Sequence, residues 1–192
     1  HTKELVGKSL NDTQRLLHLR GRPKILFATN YSEAKKYFDR YQSNILGIIS
    51  DIRFSMKGKI NPEAGIKFIE YVRRKEPNIP VMLQSTNEEQ SQKAKQIKAV
   101  FLNKQSHTLL QDLRSFILKN FGFGDFIFRN NKGKKLTQAS DLKSLGNKLL
   151  KIPKNSLVQH AGSNHFSNWL AARGEFNLAS KFRPLKISDF SK

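Results

Sequence analysis

The sequence predicts an α/β fold built on a parallel sheet, followed by a small α+β unit. Three observations predict it. Short continuous apolar runs alternate with amphipathic segments between about residue 26 and residue 121. Runs of that kind are strands buried on both faces, as the helical crossovers of a parallel sheet require. The polar residues at the ends of the runs are Asp51, Ser85 with Thr86, and Asn103 with Lys104. They fall where ligands and chemistry gather in open parallel sheets. Beyond the boundary marked by Gly122 and Gly124, the pattern becomes one hairpin followed by helices.

Residues 1–22 read as a helical lead-in, the tail of a helix with Leu16, Leu17 and Leu19 apolar before Gly21. Lys24–Thr29 (KILFAT) reads as a buried strand. Ser32–Tyr41 is a helix with Ser32 as its N-cap and Ala34, Tyr37, Phe38 and Tyr41 on one face. Ile45–Ser50 is a second strand ending at Asp51, and a polar loop with Lys57, Gly58 and Pro62 follows. Glu63–Glu76 is a helix stopped by Pro77 and Pro80. Val81–Gln84 is a strand, Glu88–Lys98 a polar helix, Ala99–Leu102 a strand and Leu109–Phe121 an amphipathic closing helix. In the second unit, Asp125–Arg129 and Lys134–Gln138 form a hairpin through Asn131-Lys132-Gly133. Asp141–Lys151 is a helix, and a long helix runs from about Phe166 to Phe182 with Trp169, Ala172, Phe176 and Ala179 at helical spacing. The units divide as 1–22, 23–121 and 122–192.

Composition narrows the function. With 192 residues, 38% hydrophobic and 26% charged, a packed core is attainable and wholesale disorder is not expected. The absence of cysteine excludes disulfide scaffolds, cysteine nucleophiles and thiolate zinc sites, and suits a cytoplasmic location. No apolar run reaches membrane-spanning length, and no signal-peptide pattern opens the chain. The chain opens on His1 rather than Met and is read as a piece of a longer protein. The net charge of +20 divides into +11 up to Phe121 (22 basic, 11 acidic) and +9 beyond it (13 basic, 4 acidic). An excess spread in this way reads as a lysine-rich solvated surface more than as a nucleic-acid arm.

An aspartate at a strand end can attack a phosphoryl donor when neighbouring cations neutralise the incoming charge. A lysine at a neighbouring strand end binds the phosphoryl oxygens, and a hydroxyl reports the modification. Asp51, Ser85 and Lys104 stand in the order such a site needs. The segments IISD (Ile48–Asp51), Glu63–Thr86 and AVFLNK (Ala99–Lys104) together resemble the response-regulator receiver family over residues 23 to 121. The resemblance implies a flavodoxin-like sheet, with Asp51 as phosphoacceptor, Lys104 and Ser85 binding the phosphate, and Ser85 and Phe101 as switch residues. It implies Mg2+ held by Asp51 and the Arg53 backbone carbonyl. The sequence departs from the family at Gln105, where proline is usual. It also lacks the acidic pair at the end of the first strand, so Lys24–Thr29 is assigned as the family's second strand. The first strand and the acidic pair are then expected upstream of this chain.

The region after Gly122 carries FGFGDFIFR, SLVQHAGSNHFSNWLAARGEFNLA and RPLKISDF. It resembles the segment after receiver-like modules in large bacterial proteins with a phosphoenolpyruvate-synthase-like (pyruvate phosphate dikinase) portion. Nothing here forms a dikinase active site, as there is no glycine-rich phosphate loop. The reading that results is a non-enzymatic, cytoplasmic regulatory module of two-component signalling. It is a receiver or a degenerate pseudo-receiver that takes its signal from a histidine kinase or another phosphodonor and acts on the rest of the parent polypeptide. A homodimer and nucleic acid are lesser alternatives as partners, and no membrane is expected. The alternative function is a DNA-binding response regulator with the basic C-terminal unit as output, through a helix-turn-helix at Asn155–Phe176 with Asn164, Asn168 and Arg173 facing DNA. His160 and His165 lack a third ligand and are poor zinc candidates. For Trp169 a core position is expected, and for Ser163 or Asn164 a helix cap.

Overall fold

A computed structural model describes residues 24–183. The readings for residues 1–22, and for the RPLKISDF segment beyond Arg183, lie outside the described residues. The chain is mixed α/β. Three strands, β1 (Ile48–Asp51), β4 (Val81–Ser85) and β5 (Val100–Asn103), form a parallel sheet in the order β1-β4-β5. The register pairs Asp51 with Gln84 and Ser85 with Asn103, so the three carboxyl ends finish level.

Helix α1 (Tyr31–Tyr41) precedes β1, α2 (Ala64–Lys75) lies between β1 and β4, and α3 (Gln90–Gln96) and α4 (Leu109–Asn120) follow β4 and β5. Helix α1 is capped by Asn30, not Ser32, because the Asn30 side chain accepts the Glu33 N–H at 2.9 Å. One apolar layer joins α1 and α2 to the sheet: Phe38, Phe68, Ile69, Val72, Val81 and Leu83 are all buried. On the opposite face Phe116 of α4 covers Met82 and Leu102. Both faces of the central strand β4 are thus packed, which is why its sequence reads as a continuous apolar run and not as alternation, while Ile49 and Val100 on the flanking strands are exposed.

Two expectations for this half change. Among the described residues Lys24–Thr29 makes no sheet pairing, and Ile25 and Phe27 are 93% and 76% exposed. Only Asn30, just beyond the run, forms an isolated parallel bridge, with Ser55. The polar loop after Asp51 is instead a hairpin, β2 (Phe54–Met56) paired antiparallel with β3 (Lys59–Asn61). Lys57 and Gly58 turn it with φ of 53° and 76°, the left-handed pair that a two-residue hairpin turn needs.

The C-terminal part is a hairpin, β6 (Phe126–Arg129) with β7 (Lys135–Ala139), and four helices: α5 (Leu142–Leu149), α6 (Lys154–Gly162), α7 (His165–Ala171) and α8 (Phe176–Phe182). Asp141 caps α5 by accepting the Ser144 N–H at 2.7 Å. The expected long helix Phe166–Phe182 is broken in two at Gly174, whose φ of 80° is left-handed and ends α7. Phe126, Phe128, Phe166, Trp169 and Leu170 form the core here, with Trp169 only 2% exposed. Asn164 precedes α7 with φ of 57° and makes no side-chain cap bond, contrary to the expected capping role.

Side-chain to backbone hydrogen bonds tie the two parts together. Arg183 donates to the carbonyls of Gln42, Ser43 and Ile45, and Asn78 donates to the Gly162 carbonyl at 2.9 Å. No helix among the described residues is long and apolar enough to cross a membrane.

Candidate functional site

The level ends of β1, β4 and β5 bring Asp51, Ser85 and Lys104 to one edge of the sheet. Lys104 Nζ lies 2.7 Å from Asp51 Oδ2, and both side chains are partly exposed, at 38% and 39%. The backbone fixes this meeting: Lys104 N–H donates to the Ser85 carbonyl at 2.9 Å, and Ile52 N–H to the Gln84 carbonyl at 3.1 Å. The other carboxylate oxygen, Asp51 Oδ1, is buried without a hydrogen-bond partner among the described residues. A buried oxygen left in that condition costs about 1–3 kcal/mol, and such groups call for an explanation.

Helix α2 closes the site from the side. Gly65 donates its N–H to the Ile52 carbonyl at 2.9 Å. A Cβ at Gly65 would lie 2.1 Å from the Asp51 carbonyl oxygen and 2.8 Å from Ile52 Cα. Only glycine lets the helix start press against the backbone that carries Asp51. Neither composition nor periodicity singles out this residue; its place at the start of the helix that follows the Asp51 loop is the one available signal.

The remaining residues fall as follows. Ser85 is half-buried, and its Oγ accepts the Asn87 N–H at 3.1 Å, a cap for the turn that leaves β4. Phe101 is half-buried against the core on the α1–α2 side of the sheet. Arg53 is exposed in the bend between β1 and β2. Among the described residues no three His, Cys, Asp or Glu side chains cluster to hold a metal. By themselves they do not make a magnesium site, and the chemistry open to them is that of the Asp51–Lys104 pair.

That pair admits a stability test. Ion pairs this exposed contribute about 0–1 kcal/mol. In urea denaturation Lys104→Ala is therefore expected to lower stability by less than about 1 kcal/mol, whereas Asp51→Ala, which also removes the unpartnered Oδ1, is expected to leave stability unchanged or raise it. A loss of several kcal/mol in either variant would mark the pair as a structural strut.

In the second part the segment read as a helix-turn-helix is two helices, α6 and α7, joined at Ser163–Asn164, with a histidine pair between them. His160 is 3% exposed, its Nε2 accepts the Arg129 N–H at 2.9 Å, and its Nδ1 stands 2.9 Å from His165 Nδ1. With Nε2 accepting, the neutral His160 ring carries its proton on Nδ1 and donates it to His165. The would-be recognition helix α7 is buried from Phe166 to Ala171. Asn168 accepts from Arg183 at 3.2 Å, and Arg173 lies over the Trp169 ring at 3.5 Å while donating to the Gly122 and Gly124 carbonyls. Asn168 and Arg173, two of the three residues read as facing DNA, are thus spent on the core and its loops. His107 is exposed and isolated from these groups.

No family model, no curated protein and no solved structure matches this chain.

Proposed function

We propose that this chain is a receiver-like regulatory module of flavodoxin-like type, with Asp51 as phosphoacceptor and Lys104 as the cation that meets the phosphoryl group. The observation that carries this reading is the 2.7 Å contact of Lys104 with Asp51 at the carboxyl ends of parallel strands, beside an Asp51 oxygen that no donor among the described residues satisfies. A purely structural ion pair gives no reason for that second oxygen to stay unpartnered.

The chemistry follows from the charges. An Asp51 carboxylate oxygen attacks the phosphorus of a small acyl phosphate, and the bond from phosphorus to the leaving carboxylate breaks. The Lys104 ammonium then shifts from Asp51 to the new phosphoryl oxygens. Loss of the Asp51–Lys104 contact and the extra negative charge act on the β4 and β5 ends, where Ser85 and Phe101 lie. Their rearrangement is the output offered to a partner or to an attached phosphotransfer portion. On this reading the module is regulatory, and the phosphodonor class includes histidine kinases.

Intact mass after incubation with acetyl phosphate, in magnesium buffer and in EDTA, tests the reading directly. A one-phosphoryl gain that Asp51→Asn abolishes is expected, with Lys104→Ala slowing it by about 100-fold, the usual effect of removing one charge-stabilising group. No gain in folded protein would sink the phosphoacceptor assignment and leave a docking module without phosphochemistry.

A further inference from the structure

The positive charge of the chain is not as evenly spread as its halves suggest. Residues 126–154 carry eight basic side chains against one acid, Asp141, a net of +7 in 29 residues. Residues 24–121 carry 17 basic and 9 acidic side chains, a net of +8 over more than three times the length. Residues 155–183 carry three basic side chains and Glu175, a net of +2. The excess of the C-terminal part is therefore the property of one stretch: the β6–β7 hairpin, α5 and the turn into α6.

The structure shows what these cations do, and they do little for the fold. Lys132, Lys134, Lys135, Lys143, Lys151 and Lys154 are exposed. None of the eight forms an ion pair among the described residues, whereas Lys35, Lys75, Lys93 and Lys104 in the first part all do. Asp141, the single acid, is occupied by the α5 cap. The hairpin register places Arg129 opposite Lys135, a like-charge cross-strand pair that disfavours the isolated sheet. Lys148 and Lys151, from the end of α5, line one open recess of about 450 Å3 together with Leu136 and Thr137 of β7, Asn147 and Ile152. A helix C-terminus accounts for Lys148 through its dipole, but not for the hairpin cations.

We infer that the hairpin–α5 face is a binding surface for the phosphate backbone of double-stranded nucleic acid. Three features select this partner. The lysines sit on β7, on α5 and in the turns that flank them, interspersed with hydrogen-bonding side chains, Asn131, Thr137, Gln138 and Asn147, of the kind that contact phosphates. Both aromatic rings of the stretch, Phe126 and Phe128, are buried, so the face has no platform on which unpaired bases could stack. The same lack of exposed aromatic rings is unlike a membrane-interface surface, although Leu136, Leu142 and Leu150 are exposed here. The surface is distinct from the buried helix α7 and from the Asp51 edge.

Fluorescence anisotropy of a labelled 20-base-pair DNA duplex, titrated with the whole chain at several KCl concentrations, tests the inference. Two charge-matched variants decide it: Lys134, Lys135, Lys148 and Lys151 changed together to Gln, and Lys57, Lys59, Lys95 and Lys98 changed together to Gln. The first is expected to bind at least tenfold more weakly, with the slope of log affinity against log salt reduced by about 3 to 4. The second is expected to stay within about threefold of the unaltered chain, since only non-specific long-range charge is lost. Far-ultraviolet circular dichroism and thermal melts confirm that both variants fold. Equal losses in the two variants would show diffuse attraction and overturn the assignment of this face. Absence of duplex binding at 50 mM KCl, tighter binding to single strands, or binding to phosphatidylserine vesicles in place of DNA would overturn the partner.

Discussion

Replacing Gly65 with alanine is expected to destabilise the chain by about 2 kcal/mol. In an open helix the substitution goes the other way, because alanine is favoured over glycine by about 1 kcal/mol. At Gly65 the new methyl group meets backbone atoms on the Asp51 strand end, the nearest at 2.1 Å. Backbone cannot rotate away as a side chain can, so the start of α2 or the end of β1 has to move. Overpacking of that kind costs about 1–3 kcal/mol, occasionally more. Gly146 in α5 is the matched control, since a Cβ there meets nothing within 4 Å. Gly146→Ala is expected to stabilise by about 0.5–1 kcal/mol. Urea denaturation of both variants checks the pair; stabilisation by both would show that α2 does not press on the Asp51 backbone.

Acid is expected to weaken the fold well above the range where most carboxylates titrate, through His160. Burial among Phe126, Phe128 and Phe166, with His165 and then Arg129 nearby, pushes its pKa down to about 4 from the usual 6.5. His165 is lowered as well, by burial. The sign follows from proton counts. Between pH 6.5 and 4 the unfolded chain binds a proton at His160 that the folded chain refuses, so stability falls as pH drops. The His160 contribution is fully present above pH 6.5 and is lost progressively towards pH 4, about 3 kcal/mol for a shift of this size. Protonation also ends the contacts that hold the ring: a charged imidazole can no longer accept from Arg129 N–H. His160→Leu separates this effect from the carboxylates. It is expected to lower stability at pH 7, because the Arg129 N–H loses its acceptor, and to flatten the change between pH 6.5 and pH 4.5. An unchanged pH profile in His160→Leu would assign the acid sensitivity elsewhere.

The legibility of the chain follows its local signals. The three parallel strands and the helices α1 to α5 stand within a few residues of where periodicity, capping and proline placed them, because those signals act over one or two turns. The hairpin β6–β7 was legible for the same reason: Asn-Lys-Gly between two apolar runs is turn chemistry. The second hairpin escaped notice because Lys57 adopts a left-handed φ that its side chain does not announce. Gly174 broke an apolar stripe that looked continuous, and burial of α7 turned polar residues inward that a helix-turn-helix would have shown to DNA.

By itself, then, the sequence determined the α/β alternation, the candidacy of Asp51, Ser85 and Lys104, and the surplus of positive charge. Each of these is a property of residue type and spacing along the chain. Only the tertiary structure decided that Asp51 and Lys104 touch, that Gly65 must be glycine, that KILFAT joins no ladder among the described residues, and that His160 is held neutral. Those facts depend on distances between segments far apart in the chain. They are set by close packing of backbone on backbone and by exclusion of water, neither of which leaves a periodic trace in the residues themselves.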